Sequence, residues 1–197
     1  MRTAILALSL SAVAVPTTRA GTLDLDVGLQ ATHTDWDDDH AGGPTLSASW
    51  LFRPWIGMNF TGKEQYASID DRYLSYLSVN AIFRKAFDHI RISGTAGFVH
   101  QHEEPKVAID AMPIESLFGV ADGTRHRMGT RAGVQLAIPF RDRAKGDWYV
   151  ALDIDATIFS EQERGPRWMS SAGLSIGFTH DFAKGAPAPA AKVASKP

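Results

Sequence analysis

The residues best equipped for chemistry lie in the run His100-Gln-His102-Glu103-Glu104, with Ser116 further along the same polar stretch. Imidazole, carboxylate and hydroxyl are the parts of a base-activated nucleophile: the histidine takes the serine proton and an acid orients the histidine. Two histidines two apart on an extended chain also point the same way, as two ligands of one metal ion would. No further ligand stands beside them in sequence, so no metal site is assigned there. A second group, His33, Asp35, Asp37, Asp38, Asp39 and His40, is packed into a few residues. It lacks the glycine pattern of a calcium loop and the HExxH spacing of a zinc protease, and it reads as an acidic, solvated loop. No catalytic, cofactor-binding or metal-ligating residue is assigned, and no cofactor is implied.

A third set of charges stands inside segments that are otherwise apolar on alternate residues: Asp24, Asp26, Arg91, Arg127, Arg131, Asp153 and Asp155. A charge facing a dry core is costly unless it is paired, so these residues ask what positions them. Residues 22–32 place Leu23, Leu25, Val27, Leu29 and Ala31 opposite Thr22, Asp24, Asp26, Gly28 and Gln30. A period of two is a strand signature. The same alternation recurs over 45–52, 55–62, 73–83, 90–99, 125–140, 148–159 and 168–182, which predicts eight strands. It is least regular over 73–83, where Leu74 and Ile82 fall on the polar side. Between the strands, short connections (53–54, 84–89, 141–147) alternate with long ones (33–43, 63–72, 100–124, 160–167). Within the longest of these, Ile114, Leu117, Phe118 and Val120 predict a short helix or strand extension folded over the end of the sheet.

A soluble barrel also alternates, and three features argue for one that spans a membrane instead. The polar face carries full charges at mid-strand, which a packed soluble interior would exclude. Aromatics (Trp50, Phe52, Phe83, Phe140, Trp148, Trp168, Phe178, Phe182) cluster at strand ends on the apolar face, as interfacial girdles do. Loop lengths alternate as they do in membrane barrels. Open strand edges are untenable in lipid, so the sheet must close, and eight strands enclose a lumen only wide enough for side chains. The lumen carboxylates of the first and seventh strands are therefore expected to pair with lumen arginines of the fifth and sixth, with Arg131 lying diagonally near Asp155.

The ends agree with export. Arg2, the apolar run 4–15 and Thr18-Arg19-Ala20 read as a signal peptide over 1–20. There is no cysteine, and the net charge of -2 argues against nucleic acid as a partner. Residues 183–197 alternate Ala and Pro and read as a flexible tail.

The closing segment Ser175-Ile-Gly177-Phe-Thr-His180-Asp-Phe182 resembles the insertion signal on the last strand of bacterial outer-membrane proteins: polar, any, Gly, any, any, aromatic, any, aromatic. His180 departs from it by standing where an aromatic is usual. With the strand pattern and loop asymmetry, the stretch 21–182 resembles the OmpA/OmpX-like family of small outer-membrane β-barrels, and the tail resembles the Ala-Pro linker that follows the barrel in OmpA. The resemblance implies an all-β, eight-stranded antiparallel up-and-down transmembrane β-barrel in the bacterial outer membrane. Its implied partners are membrane lipid, lipopolysaccharide and the barrel assembly machinery, with a ligand at the outer loops left open. The expected role is a non-enzymatic surface protein, serving envelope integrity or adhesion, with its lumen plugged by charged side chains. One alternative is a lipid A-modifying acyl hydrolase or acyltransferase using His100, His102, Glu103, Glu104 and Ser116, although the His-any-Ser-Asn motif of the deacylase family is missing. Another is a narrow pore for small solutes.

Overall fold

The computed structural model describes residues 21–35, 39–68, 71–117, 119–121, 123–143, 146–160 and 167–182. The expected signal peptide, the tail, and Asp37 and Asp38 of the acidic loop lie outside them. The period-two segments all become strands, in the order β1 (Thr22–Thr34), β2 (His40–Arg53), β3 (Ile56–Ala67), β4 (Arg72–Ala86), β5 (Arg91–Pro105), β6 (Arg125–Arg143), β7 (Gly146–Phe159) and β8 (Trp168–Asp181). Two short helices, α1 (Lys106–Ala111) and α2 (Pro113–Leu117), interrupt the series between β5 and β6. Each strand pairs antiparallel with its neighbour in sequence, and β8 returns to β1 from Thr22↔Asp181 to Thr34↔Met169, closing the barrel. Closure leaves no strand edge unpaired, which is the condition for a sheet to stand in lipid.

The burial pattern fixes which solvent lies outside. On β1, Asp24 and Asp26 are 1% and 6% exposed, whereas Val27 and Leu29 are 53% and 69% exposed. The same inversion runs around the wall, with Leu46, Leu77, Phe98, Val134, Ile154 and Leu174 all outside. A continuous apolar belt of this kind is stable against hydrocarbon and not against water. The chain is a transmembrane barrel, with lipid outside and polar residues inside.

Most of the aromatic girdle sits at the short-turn end, where Trp50 meets Phe182 and Trp148 meets Phe178, each with centroids 5.4 Å apart. Phe52 and Phe140 are the extra residues of two β-bulges, between Leu51 and Arg53 and between Pro139 and Arg141. A bulge leaves one residue without a direct ladder partner, here two phenylalanines that keep the outward alternation of their strands. It also accommodates Pro139, which has no N–H for a regular ladder.

The strand ends differ from expectation in one respect. At the short-turn end, 84–86, 141–143 and 146–147 extend β4, β6 and β7 into the expected turns. At the long-loop end, residues 33–34, 40–43, 63–67, 72 and 100–105, expected in loops because they are polar or glycine-rich, are strand continuations of β1 to β5. Above the lipid belt an outward position no longer needs to be apolar, so the hydropathy alternation stops while the backbone pairing continues. The connection from β3 to β4 shrinks accordingly to residues 68–71. α1 and α2 occupy the centre of the third long connection. α2 starts with Pro113 at its first position and Glu115 in its first turn, both suited to a helix N-terminus.

Candidate functional site

Two constellations merit description, one inside the wall and one outside it. The interior one follows from the inward turn of alternate residues. Asp155 on β7 receives Lys63 Nζ of β3 at 2.8 and 2.9 Å on its two oxygens, and Arg131 Nη2 of β6 at 3.1 Å. Gln30 Nε2 of β1 donates to it at 3.4 Å. Lys63 thus bridges the lumen from β3 to β7. The Lys63 and Asp155 side chains are each 2% exposed. Arg131 and Asp155 meet diagonally, since the direct cross-strand partner of Asp155 is Gly133. A side chain at that glycine would press on the Asp155 Cβ, 3.0 Å from where its own Cβ would lie.

Toward the short-turn end, Asp24 is bound by Arg84 of β4, with Arg91 Nη1 at 3.8 Å. Arg91 also donates to Thr179 Oγ1 at 2.6 Å and lies over the Tyr149 ring, 4.3 Å from its centroid. The Tyr149 hydroxyl donates to Asp26 at 3.1 Å. Asp153 accepts from Gln135 Nε2 at 2.9 Å and from Ser175 Oγ at 2.7 Å. Toward the long-loop end, Glu103 receives Arg127 Nη1 at 2.9 Å and has Arg125 Nε at 3.4 Å. Arg127 is stacked 4.0 Å from the Phe159 centroid. Between these layers lies a cavity of about 30 Å³, bordered by Asp26, Gln30, Asn59, Arg131 and Asp153. It has room for about two waters.

Four lumen residues with central parts in this arrangement stand outside the set read from the sequence: Lys63, Arg84, Glu103 and Tyr149. The sequence pattern puts Lys63 and Glu103 in loops and Arg84 in a turn, because charge at a strand end looks like punctuation. Continuing the period of two by a few residues would have turned each of them inward. Tyr149 falls on the lumen face by the same period, and its contacts are what the structure adds: its ring fills the space over Gly177, where any Cβ on β8 would collide with it.

The expected closing-strand residues take up separate positions. Ser175 and Gly177 face the lumen against Asp153 and Tyr149. His180 and Phe182 face outward with centroids 4.4 Å apart, and the Phe182 N–H donates to the Gly21 carbonyl at 3.2 Å.

Outside the wall, the long-loop rim is rich in histidine. His33 stacks on His40 with centroids 5.0 Å apart and meets Trp168 at 5.7 Å. Asp35 of the acidic loop accepts the backbone N–H groups of Arg167 and Trp168 at 2.7 and 3.1 Å, and so holds the start of β8. On the opposite side of the barrel, His100 and His102 turn outward from β5 above Phe98, and His126 joins them from β6 as the cross-strand partner of His102. His100 Nε2 lies 2.7 Å from His102 Nε2 and 3.4 Å from His126 Nδ1. Burial, and then the neighbouring imidazoles, hold His100 and His102 below the ordinary histidine range. Glu104 shares this outward face yet is 2% exposed, and its Oε1 has no hydrogen-bond partner. Burial and then Glu64 push its carboxyl above the usual range. Of the residues considered for nucleophilic chemistry, Glu103 turns into the lumen and Ser116 is buried with its Oγ unpartnered.

The connection after β5 leans on this face. Gly119 takes φ +66° directly against His102, where a Cβ would strike the ring. Val107, Ile114 and Val120 of the same connection stay exposed.

No protein-family model and no curated protein sequence matches the chain. Among solved structures, Neisserial surface protein A (NspA) is similar with a TM-score of 0.55 and 10% identity, over 82% of this chain and 97% of that one. Ail, the attachment invasion locus protein of Yersinia pestis, is similar with a TM-score of 0.49 and 15% identity, over 81% and 99%. The outer membrane enzyme PagL follows with 0.45 and 11%, over 78% and 97%. These neighbours are small outer-membrane β-barrels, and the likeness to NspA gives this chain the same fold. At such identities it speaks to fold alone.

Proposed function

We propose that this protein is a non-conducting barrel of the bacterial outer membrane that anchors a surface of strand extensions and loops outside the cell, serving envelope integrity or adhesion and not catalysis. The observation that carries the reading is the bridge across the lumen from Lys63 on β3 to Asp155 on β7, with Arg131 closing on the same carboxylate. An ion permeating the lumen would have to displace these paired, water-excluded charges, and the neighbouring cavity of about 30 Å³ is no water column. In this reading the short-turn end is periplasmic and the long-loop end faces outward, toward lipopolysaccharide. An acyl-transfer reading would need serine, histidine and acid to converge; Glu103 is instead bonded to Arg127 inside the wall.

The test is the purified barrel in a planar lipid bilayer. No steady conductance is expected from the parent protein, whereas Arg131→Ala, which removes one arm of the bridge, should give small resolvable steps. Stable channels in the parent would refute the filled lumen and favour a pore.

A further inference from the structure

We infer that His100, His102 and His126 form a binding site for a divalent transition-metal ion, zinc foremost, on the outward face of the β5–β6 extension. The three imidazoles come from two hydrogen-bonded strands, and one nitrogen from each falls within 4.8 Å of the others. A tetrahedral zinc ion with Zn–N bonds of about 2.0–2.1 Å holds its nitrogen ligands about 3.3 Å apart. The His126–His100 separation of 3.4 Å already matches this. The His100–His102 separation of 2.7 Å must open by about 0.6 Å, within the reach of small side-chain rotations.

The tautomer of His100 is set by its second contact. Its Nδ1 lies 2.9 Å from Met128 Sδ, and a thioether can only accept, so Nδ1 carries the hydrogen and Nε2 presents its lone pair to the cluster. A ligating histidine whose other nitrogen donates to a fixed partner is the usual arrangement at metal sites. The surroundings favour a cation. Glu104, buried with an unpartnered oxygen, and Glu64 lie on the same outward side, whereas Arg125 and Arg127 are directed to Glu103 in the lumen. Imidazole sets suit zinc, copper and nickel, while the hard calcium and magnesium ions prefer oxygen ligands. Three histidines leave a fourth position for water or an exchangeable oxygen ligand, so the site is open.

A bound ion would tie β5 to β6 just above the lipid belt, beside the point where Gly119 brings the third connection against His102. This inference is independent of whether the lumen conducts.

The experiment uses the full chain in detergent micelles, stripped of metal with a chelator and titrated with Zn²⁺ alone by calorimetry, followed by X-ray absorption on the loaded protein. The expected result is one zinc per chain, with an absorption spectrum of histidine nitrogens at about 2.0 Å. His126→Ala and His100→Gln should each weaken binding about 100-fold, since loss of an outer partner alone costs roughly 10–100-fold. His40→Ala, which alters the other histidine pair on the rim, should change nothing. Heat-modifiable migration shows that each variant is a folded barrel; if one is not, the absorption spectrum of the parent decides alone. Absence of zinc binding, binding undiminished in folded His126→Ala, or a spectrum of oxygen ligands only would overturn the assignment.

Discussion

Replacing Asp155 by Asn keeps the shape of the side chain and removes only its charge, so it isolates what the lumen bridge contributes. In the native barrel this carboxylate compensates two cations, Lys63 at 2.8 Å and Arg131 at 3.1 Å, with all three side chains almost wholly withdrawn from water. Removing one partner of a buried pair costs about 3–5 kcal/mol, because the remaining charge stays buried without compensation. Here two cations are left facing each other, so Asp155→Asn should fall at the upper end of that range. Lys63→Met should cost less, since Asp155 keeps Arg131 and the methionine stem can still lie along the Tyr76 ring that Lys63 Nζ now approaches to 4.9 Å. The double variant should recover at least about 1 kcal/mol relative to the sum of the singles, as expected for side chains in direct contact. Urea unfolding from lipid vesicles reads these values through tryptophan fluorescence, since Trp50, Trp148 and Trp168 lie on the outer face of the wall and move to water as it opens. A cost for Asp155→Asn below about 0.5 kcal/mol, or no coupling to Lys63, would refute the reasoning. The charges would then be hydrated, and the case for a filled, non-conducting lumen would fall with them.

Gly177→Val should destabilise the barrel by about 1–3 kcal/mol in the same assay through the collision with Tyr149, and Tyr149→Ala should relieve most of the added strain. A Gly177→Val cost unchanged by Tyr149→Ala would show that backbone preference, not ring packing, selects glycine there. Phe182→Asp should sharply lower the yield of heat-modifiable barrel in membranes, because it loses the contact with Trp50 and puts a charge in the apolar girdle at the closing strand. Deleting 183–197 should leave that yield nearly unchanged, and a large loss on deletion would mean that the tail takes part in assembly.

The eight strands, their order and their inward and outward faces were legible in the residues themselves. Side chains alternate across a strand by covalent geometry, and a wall between lipid and a polar lumen writes that alternation into the hydropathy. The signal weakened at the long-loop end. Outward positions such as Glu64, His100 and His102 are polar there, so the strands appeared to stop before their backbone pairing did. Pairing is carried by N–H and C=O groups that every residue except proline shares, and composition does not record it.

Which charge meets which was another matter. Arg131 and Asp155 lie on hairpin neighbours, and their diagonal approach follows from a short turn. Lys63 and Asp155, or Arg84 and Asp24, are far apart in sequence and meet only because the sheet closes with one particular register, bringing distant strands face to face across a lumen one side chain wide. The histidine cluster divides in the same way. His100 and His102 share a face because they are two residues apart on a strand, which the sequence determines. His126 becomes their neighbour only through the β5–β6 register that pairs it with His102, after a helical connection whose length says nothing about that register. Local periodicity decides which way a side chain points, and tertiary closure decides what it finds there.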